Sequence, residues 1–263
     1  MLAFVLKQCD DRILGALLYQ KCKDFKVYLP EGATLASDYE GKLSLTTGGL
    51  NQVEEPLLCL LEEGALPDRH FVRRVLRTAR LHPEFAVYHV NRPGTRAWPR
   101  KLSAAQLFRR HVLQGLQAPL SSFVFRSDAL REKAVFHADG SLDVLATVLS
   151  CAKEQPVRNV WHQTLSWTAP ADGAGAEDEE KQIRRRLDFF RWSELFFDED
   201  AYPLSSGERM KLFATEVAKL YPAHTPDELK EEMAVFRVSQ GVLRRPRAMA
   251  ALKTAVRERQ ARL

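Results

Sequence analysis

Cysteine is scarce in this chain, with four residues in 263: Cys9, Cys22, Cys59 and Cys151. No two of them have zinc-ligand spacing. Two fall in runs that read as buried, so they are expected to be reduced structural thiols rather than a disulfide framework. No apolar run approaches the ~20 residues of a membrane-spanning helix. The N-terminus, Met1-Leu2-Ala3-Phe4-Val5-Leu6-Lys7, lacks the basic start of a secretory leader and its apolar run is too short for one. The expected location is the cytoplasm. Also missing are a P-loop, a nucleophile elbow and a zinc-ligand cluster, which removes the commonest signatures of nucleoside triphosphatases, α/β-hydrolases and zinc enzymes. There is no internal repeat.

What is present is ordinary globular material, 45% hydrophobic and 28% charged, enough for a full core. The length suits one large domain, or one domain with a helical extension. The net charge of +5 favours anionic partners: nucleotide phosphates, acidic lipid headgroups or nucleic acid.

Hydrophobic periodicity divides the chain. Leu2 to Leu6 reads as a strand. Cys9-Asp10-Asp11 starts a helix whose acidic residues suit the dipole, and Ile13, Leu14, Leu17 and Leu18 form its apolar face up to Cys22. Phe25 to Leu29 is a second strand, closed by Pro30-Glu31-Gly32. Strand, helix and strand in this short space predict parallel pairing. Lys42 to Thr47 is a weaker strand. Leu57 to Leu61 is an unbroken apolar run, short enough for a strand buried on both faces. It ends in two carboxylates, Glu62 and Glu63, then Gly64 turns the chain and Pro67-Asp68 opens a helix. That helix carries Phe71, Val72, Val75, Leu76 and Ala79 inward and Arg73, Arg74, Arg77 and Arg80 outward, a stripe that reads as a solvated face more than a phosphate site.

Phe85 to Val90 alternates as a strand, and Asn91 to Pro99 is a loop. Ser103 to Gln117 is a helix, Ser122 to Phe125 a strand ending at Arg126, Leu142 to Cys151 a helix, and Val157 to Trp161 a last strand. Ala169 to Glu180, small and acidic, reads as a flexible linker. Beyond it only helices are expected, from residue 181 to 263, with a basic last helix opened by Pro246.

Ligands of open α/β sheets bind outside the carboxyl ends of the strands. Glu62 and Glu63 stand at such an end and are candidate oxygen ligands for a divalent metal. Solvated turn residues are the plainer alternative. Arg126, at another strand end, is a candidate for a phosphate, although such an arginine commonly pairs with a neighbouring carboxylate.

Taken together, "LGALLYQKCKDFKVYL", "LLCLLEEGALPDRHFVRRVLRTARLHPEFAVYH", "SSFVFRSDAL" and "HADGSLDVLATVL" give the chain from Leu2 to Thr168 an order of features that resembles the family 2 glycosyltransferases. The resemblance implies the GT-A fold: an α/β domain with a mixed, mostly parallel sheet flanked by helices, here followed by a C-terminal helical subdomain. It implies a nucleotide-sugar donor, a glycan or lipid acceptor and a manganese or magnesium ion at Glu62 and Glu63. It also implies that Asp143 is the general base, a residue otherwise read as a helix N-terminal carboxylate. The chain departs from the family pattern at Pro30, where an acid usually holds the nucleotide base, leaving Glu31 as the adjacent acidic candidate. It departs again at Leu60, where the first metal-site aspartate is usual.

Two function classes follow. One is sugar transfer from a nucleotide donor. The other is a GT-A-like domain without catalysis that binds a partner, suggested by Pro30 and Leu60. The basic terminal helix, with Arg244, Arg245, Arg247, Lys253, Arg257 and Arg259 around Met249, Leu252 and Val256, suits an anionic surface. That surface would be an acidic partner or headgroups at the inner membrane face. The helix lacks the interleaved aromatics of single-strand binders, so no specific nucleic acid is expected.

Overall fold

The computed structural model describes residues 1–33, 39, 41–91, 98–114, 119–137, 140–167, 179–198 and 201–218. The chain divides into two compact units, Met1–Phe136 with Leu142–Ala174, and His137–Ser141 with Gly175–Leu263.

The first unit is built on an eight-stranded sheet. Its strands are β1 (Leu2–Leu6), β2 (Phe25–Leu29), β3 (Leu45–Thr47), β4 (Leu57–Leu61), β6 (Val87–Asn91), β7 (Lys101–Leu102), β8 (Phe123–Arg126) and β9 (Val157–Gln163), in the order β3-β2-β1-β4-β8-β6-β9-β7. Four pairings are parallel: β1 with β2, β1 with β4, β2 with β3 and β6 with β9. The antiparallel strand β8 lies between β4 and β6, and β7 closes the edge antiparallel to β9. This is the expected mixed, mostly parallel α/β sheet. A separate antiparallel ribbon pairs β5 (Ala65–Pro67) with β10 (Leu165–Trp167).

The helices are α1 (Asp11–Leu18), α2 (Phe71–Leu81), α3 (Ala104–Gln114), α4 (Ser127–Lys133) and α5 (Val144–Cys151). Register explains the core. Phe4 pairs with Val27 on one side and Cys59 on the other, and Leu6 pairs with Leu61, so these side chains share one face of the sheet. Ile13, Leu14 and Leu17 of α1 and Phe71, Val72 and Val75 of α2 join them in one buried cluster. Phe4 touches Phe25 edge-on at 5.6 Å and Phe71 at 5.7 Å between ring centres.

Several boundaries differ from the sequence reading. The third strand spans only Leu45–Thr47 rather than starting at Lys42. Helix α2 begins at Phe71, not Asp68. The reason is local: the Asp68 N–H donates to the Thr164 carbonyl at 2.7 Å, and the Asp68 carboxylate accepts from the His70 N–H at 2.7 Å. Asp68 is thereby held outside the helix.

The second unit contains α6 (Glu179–Phe196) and α7 (Ser206–Ala218). Helix α6 begins two residues inside the expected linker. Ser205 caps α7: its hydroxyl accepts from the Glu208 N–H at 3.3 Å, and the Glu208 carboxylate accepts from the Ser205 N–H at 2.8 Å. An aromatic chain runs from Phe189 to Trp192 (5.9 Å), Phe196 (4.7 Å), Phe197 (4.8 Å) and Tyr202 (5.6 Å). Arg186 pairs with Glu216 at 2.9 Å across the two helices. The basic terminal helix expected after Pro246, and most of the expected linker, lie outside the described residues.

Candidate functional site at the carboxyl edge of the sheet

Strands β1, β2 and β4 are parallel neighbours, so Lys7, Pro30 and Glu62, the residues just past their ends, stand along one edge of the sheet. The Lys7 N–H donates to the Leu61 carbonyl at 3.2 Å, carrying the β1–β4 ladder to the first carboxylate. Gly64 then turns the chain with φ +78°, a left-handed conformation that favours glycine, and the Ala65 N–H closes the turn on the Glu62 carbonyl at 3.1 Å.

Glu62 is held on three sides. Its N–H donates to the Ser121 hydroxyl at 2.8 Å, its Oε2 accepts from the Ser121 N–H at 3.3 Å, and its Oε1 lies 3.6 Å from the Lys7 ammonium. Ser121 is brought level with Glu62 because β8 runs antiparallel to β4, with Val124 opposite Cys59. Glu63 accepts from the Gln8 amide at 2.7 Å. The structure therefore joins Glu62 and Glu63 to the end of β1. Lys7, Gln8 and Ser121 were missed by the sequence reading. The signal for the first two was the polar step immediately after the LAFVL run.

Among the described residues no group of three or more His, Cys, Asp or Glu side chains is placed to hold a metal ion. Two carboxylates at one strand end nevertheless suit a hard cation of the magnesium or manganese type, which commonly takes one or two carboxylates and completes its shell with substrate phosphates and water. Lys7 is no obstacle. It is 58% exposed, and such a surface pair contributes at most about 1 kcal/mol.

The other candidates are arranged differently. Glu31 lies exposed in a turn from Pro30 to Ala33, just past β2 on the same edge. Asp143 is almost fully buried as the N-cap of α5, its carboxylate accepting from the Ala146 N–H at 2.9 Å. Arg126 departs from the expectation. Because β8 is antiparallel to its neighbours, Arg126 pairs with Leu57 at the start of β4, on the edge opposite Glu62. There it donates to the Pro83 carbonyl at 3.0 Å and lies 3.5 Å from Asp128. It is not brought to the carboxylates.

A buried polar cluster occupies the middle of the sheet's second half. His89 on β6 stacks on Trp98 at 3.6 Å and meets Asn159 of β9 at 3.2 Å. The Asn159 amide nitrogen donates to the Trp98 carbonyl at 2.9 Å, which leaves its oxygen to accept from the His89 Nδ1–H. Burial pushes the His89 imidazole down to about 3, against a smaller upward effect of the Asn159 hydrogen bond. His89 is thus a neutral, structural histidine rather than a proton carrier near neutral pH.

No family model matches the sequence, and no curated protein does. Solved structures do. S. aureus TarS, residues 1–349 in complex with UDP, aligns over 100% of this chain and 92% of its own, with a TM-score of 0.57 and 8% identity. The same fragment with UDP-GlcNAc aligns over 84% of this chain and 72% of its own, with a TM-score of 0.54 and 11% identity. The mannosyltransferase PcManGT from Pyrobaculum calidifontis, in complex with GDP-Man and Mn2+, aligns over 97% of this chain and 83% of its own, with a TM-score of 0.50 and 13% identity. At these identities the likeness is one of fold: the eight-stranded mixed sheet and its helices have the GT-A architecture.

Proposed function

We propose that the chain is a glycosyltransferase-like protein that takes a sugar from a nucleotide-diphosphate donor and passes it to a glycan or lipid acceptor. The carrying observation is the carboxylate pair Glu62–Glu63 on the open carboxyl edge of β4, flanked by Lys7, in a GT-A sheet. Nucleotides bind at such edges in α/β sheets. TarS and PcManGT, solved with UDP-GlcNAc and with GDP-Man and Mn2+, support the donor class.

The leaving group carries two phosphates, whose charge grows as the sugar bond breaks. Glu62 and Glu63 would hold a divalent metal, and that metal supplies Lewis-acid neutralisation of the diphosphate. Lys7, released from Glu62, adds a second positive charge at the same edge. Ser121 fixes the Glu62 backbone and carboxylate, so the ligand oxygen is oriented before the donor arrives. Glu31, beyond β2, would meet the nucleoside end of the donor. Asp143 is the proposed base for the acceptor hydroxyl, a role that requires it to leave, or to share, the Ala146 N–H.

A second reading, a partner-binding domain without catalysis, is favoured by two residues. Pro30 has no side-chain donor or acceptor where the nucleoside is expected. Leu60 is buried in the sheet beside Val5.

Calorimetric titration of nucleotide-diphosphate sugars, with and without manganese, separates the two. Binding that strengthens with manganese, followed by turnover, supports transfer. No heat with any common donor leaves the partner-binding reading.

A further inference from the structure

Helix α2 and the start of β9 enclose a groove of about 490 Å³, lined by His70, Arg73, Arg74, Arg77, His82 and Arg158 among others. Among the described residues no carboxylate lines it. A solvated helix face normally intersperses acids with bases at three- and four-residue spacing, but α2 contains no acidic residue at all. Its arginines at 73, 74, 77 and 80 therefore repel one another, at about 0.2–0.5 kcal/mol per close pair.

Two of the lining residues, Arg74 and His82, meet carboxylates that do not themselves line the groove. Asp68 pairs with Arg74 at 3.2 Å, and Glu84 lies 3.7 Å from His82 Nδ1. Arg73 and Arg77, one turn apart and both exposed, make no ion pair or hydrogen bond among the described residues. Opposite them, Arg158 donates to His82 Nε2 at 2.8 Å and stacks over Phe85 at 5.9 Å. Its Nε is buried without a hydrogen-bond partner among the described residues. A donor held in that state is incomplete, because an unsatisfied buried polar group is costly.

We propose that this groove is a binding site for a small ligand carrying two or more phosphate groups. Guanidinium forks match phosphate oxygens bidentately, and the groove has the volume of a small-molecule site. It is separate from the carboxyl-edge site. Arg158 is the second residue of β9 and faces Tyr88 near the start of β6, whereas Glu62 follows the end of β4. The assignment does not depend on the donor reading.

The test is calorimetric titration of the full chain with inorganic pyrophosphate and with tripolyphosphate. Both should bind the wild type. The double variant Arg73→Gln/Arg77→Gln should bind at least about tenfold more weakly, since charge-assisted hydrogen bonds of this kind are lost. Both side chains are exposed and their mutual repulsion is relieved, so its thermal midpoint should be equal to the wild type's or slightly higher. Arg158→Met should weaken binding as well, and removal of divalent metal with EDTA should leave wild-type binding intact. Phosphatidylcholine vesicles with and without phosphatidic acid, and duplex DNA, complete the set. Absence of pyrophosphate and tripolyphosphate binding by the wild type overturns the proposal. So does binding unaffected by the double variant. Sedimentation with phosphatidic-acid vesicles, or capture by DNA, that neither phosphate competes away shows a macromolecular surface instead and overturns it too.

Discussion

Asp143 is the N-cap of α5 and the proposed base, two roles that one substitution can separate. As the N-cap of α5 it satisfies the Ala146 N–H, and Asp143→Ala should cost about 0.5–2 kcal/mol in denaturant unfolding. Asp143→Asn keeps a capping oxygen and should unfold close to wild type. If Asp143 is also the base, the asparagine variant should lose roughly a hundredfold or more in turnover with donor affinity kept. A variant equally active would leave only the cap. At the carboxyl edge of β4, Lys7→Ala removes the ammonium that competes for Glu62 and should tighten manganese binding, whereas Glu62→Gln should weaken it. The reverse order in a metal titration would mean the carboxylate pair is not the metal site.

His89 gives a pH dependence with a definite sign. Its folded value, about 3, lies below the ordinary 6.5, so below pH 6.5 the unfolded chain takes up a proton that the folded chain refuses. The contribution is fully present above pH 6.5 and is lost as pH falls toward 3, at up to about 1.4 kcal/mol per pH unit. His89→Gln, whose amide can still donate to Asn159, should show a shallower acid limb in unfolding midpoints measured between pH 7 and 4. Parallel limbs for the two proteins would remove His89 as the cause. At this scale the sequence was legible for Glu62 and Glu63, because a carboxylate pair ends an apolar run. It was not legible for Lys7 or Ser121, whose roles depend on which strands become neighbours. Arg126 was misplaced for the same reason: the direction of β8 cannot be read from four residues.

At the level of elements, the strongly periodic segments emerged as expected. β1, β2 and β4 have the anticipated limits, because β1 and β4 are five-residue apolar runs and β2 is apolar apart from Lys26, each fixed by flanking polar residues or turns. The short pieces β5, β7 and β10 did not, since two or three residues carry no period and exist only because a partner strand pairs with them. Helix α2 illustrates both faces of an amphipathic pattern. Its inward residue Phe71 is fully buried against Phe4, so Phe71→Ala should cost about 3–5 kcal/mol in chemical denaturation. A loss under about 1 kcal/mol would mean that α2 is not a principal support of the sheet. Its outward arginines, read from sequence as a solvated face, acquire a groove only when β9 packs nearby.

For the molecule as a whole, the proposed organisation is a GT-A-like domain over residues 1–168, a linker over 169–180 and a helical subdomain over 181–263. Limited proteolysis should then cut first between residues 169 and 178 and leave two stable fragments. Rapid digestion of everything after Glu180 would contradict the helical subdomain. No helix among the described residues is long and apolar enough to cross a membrane. Any membrane contact is assigned to the basic terminal segment, and equal recovery with neutral and anionic vesicles would dismiss it.

The central claim is that the carboxyl edge at Glu62 and Glu63 holds a nucleotide-diphosphate sugar together with a divalent metal. The direct measurement is calorimetric titration of UDP- and GDP-sugars into wild type and Glu62→Gln, each with and without manganese. The account predicts manganese-dependent binding in the wild type, weakened at least about tenfold by Glu62→Gln as a metal-ligand carboxylate is lost. Manganese-independent binding of equal strength in both proteins, or no binding in either, would contradict it.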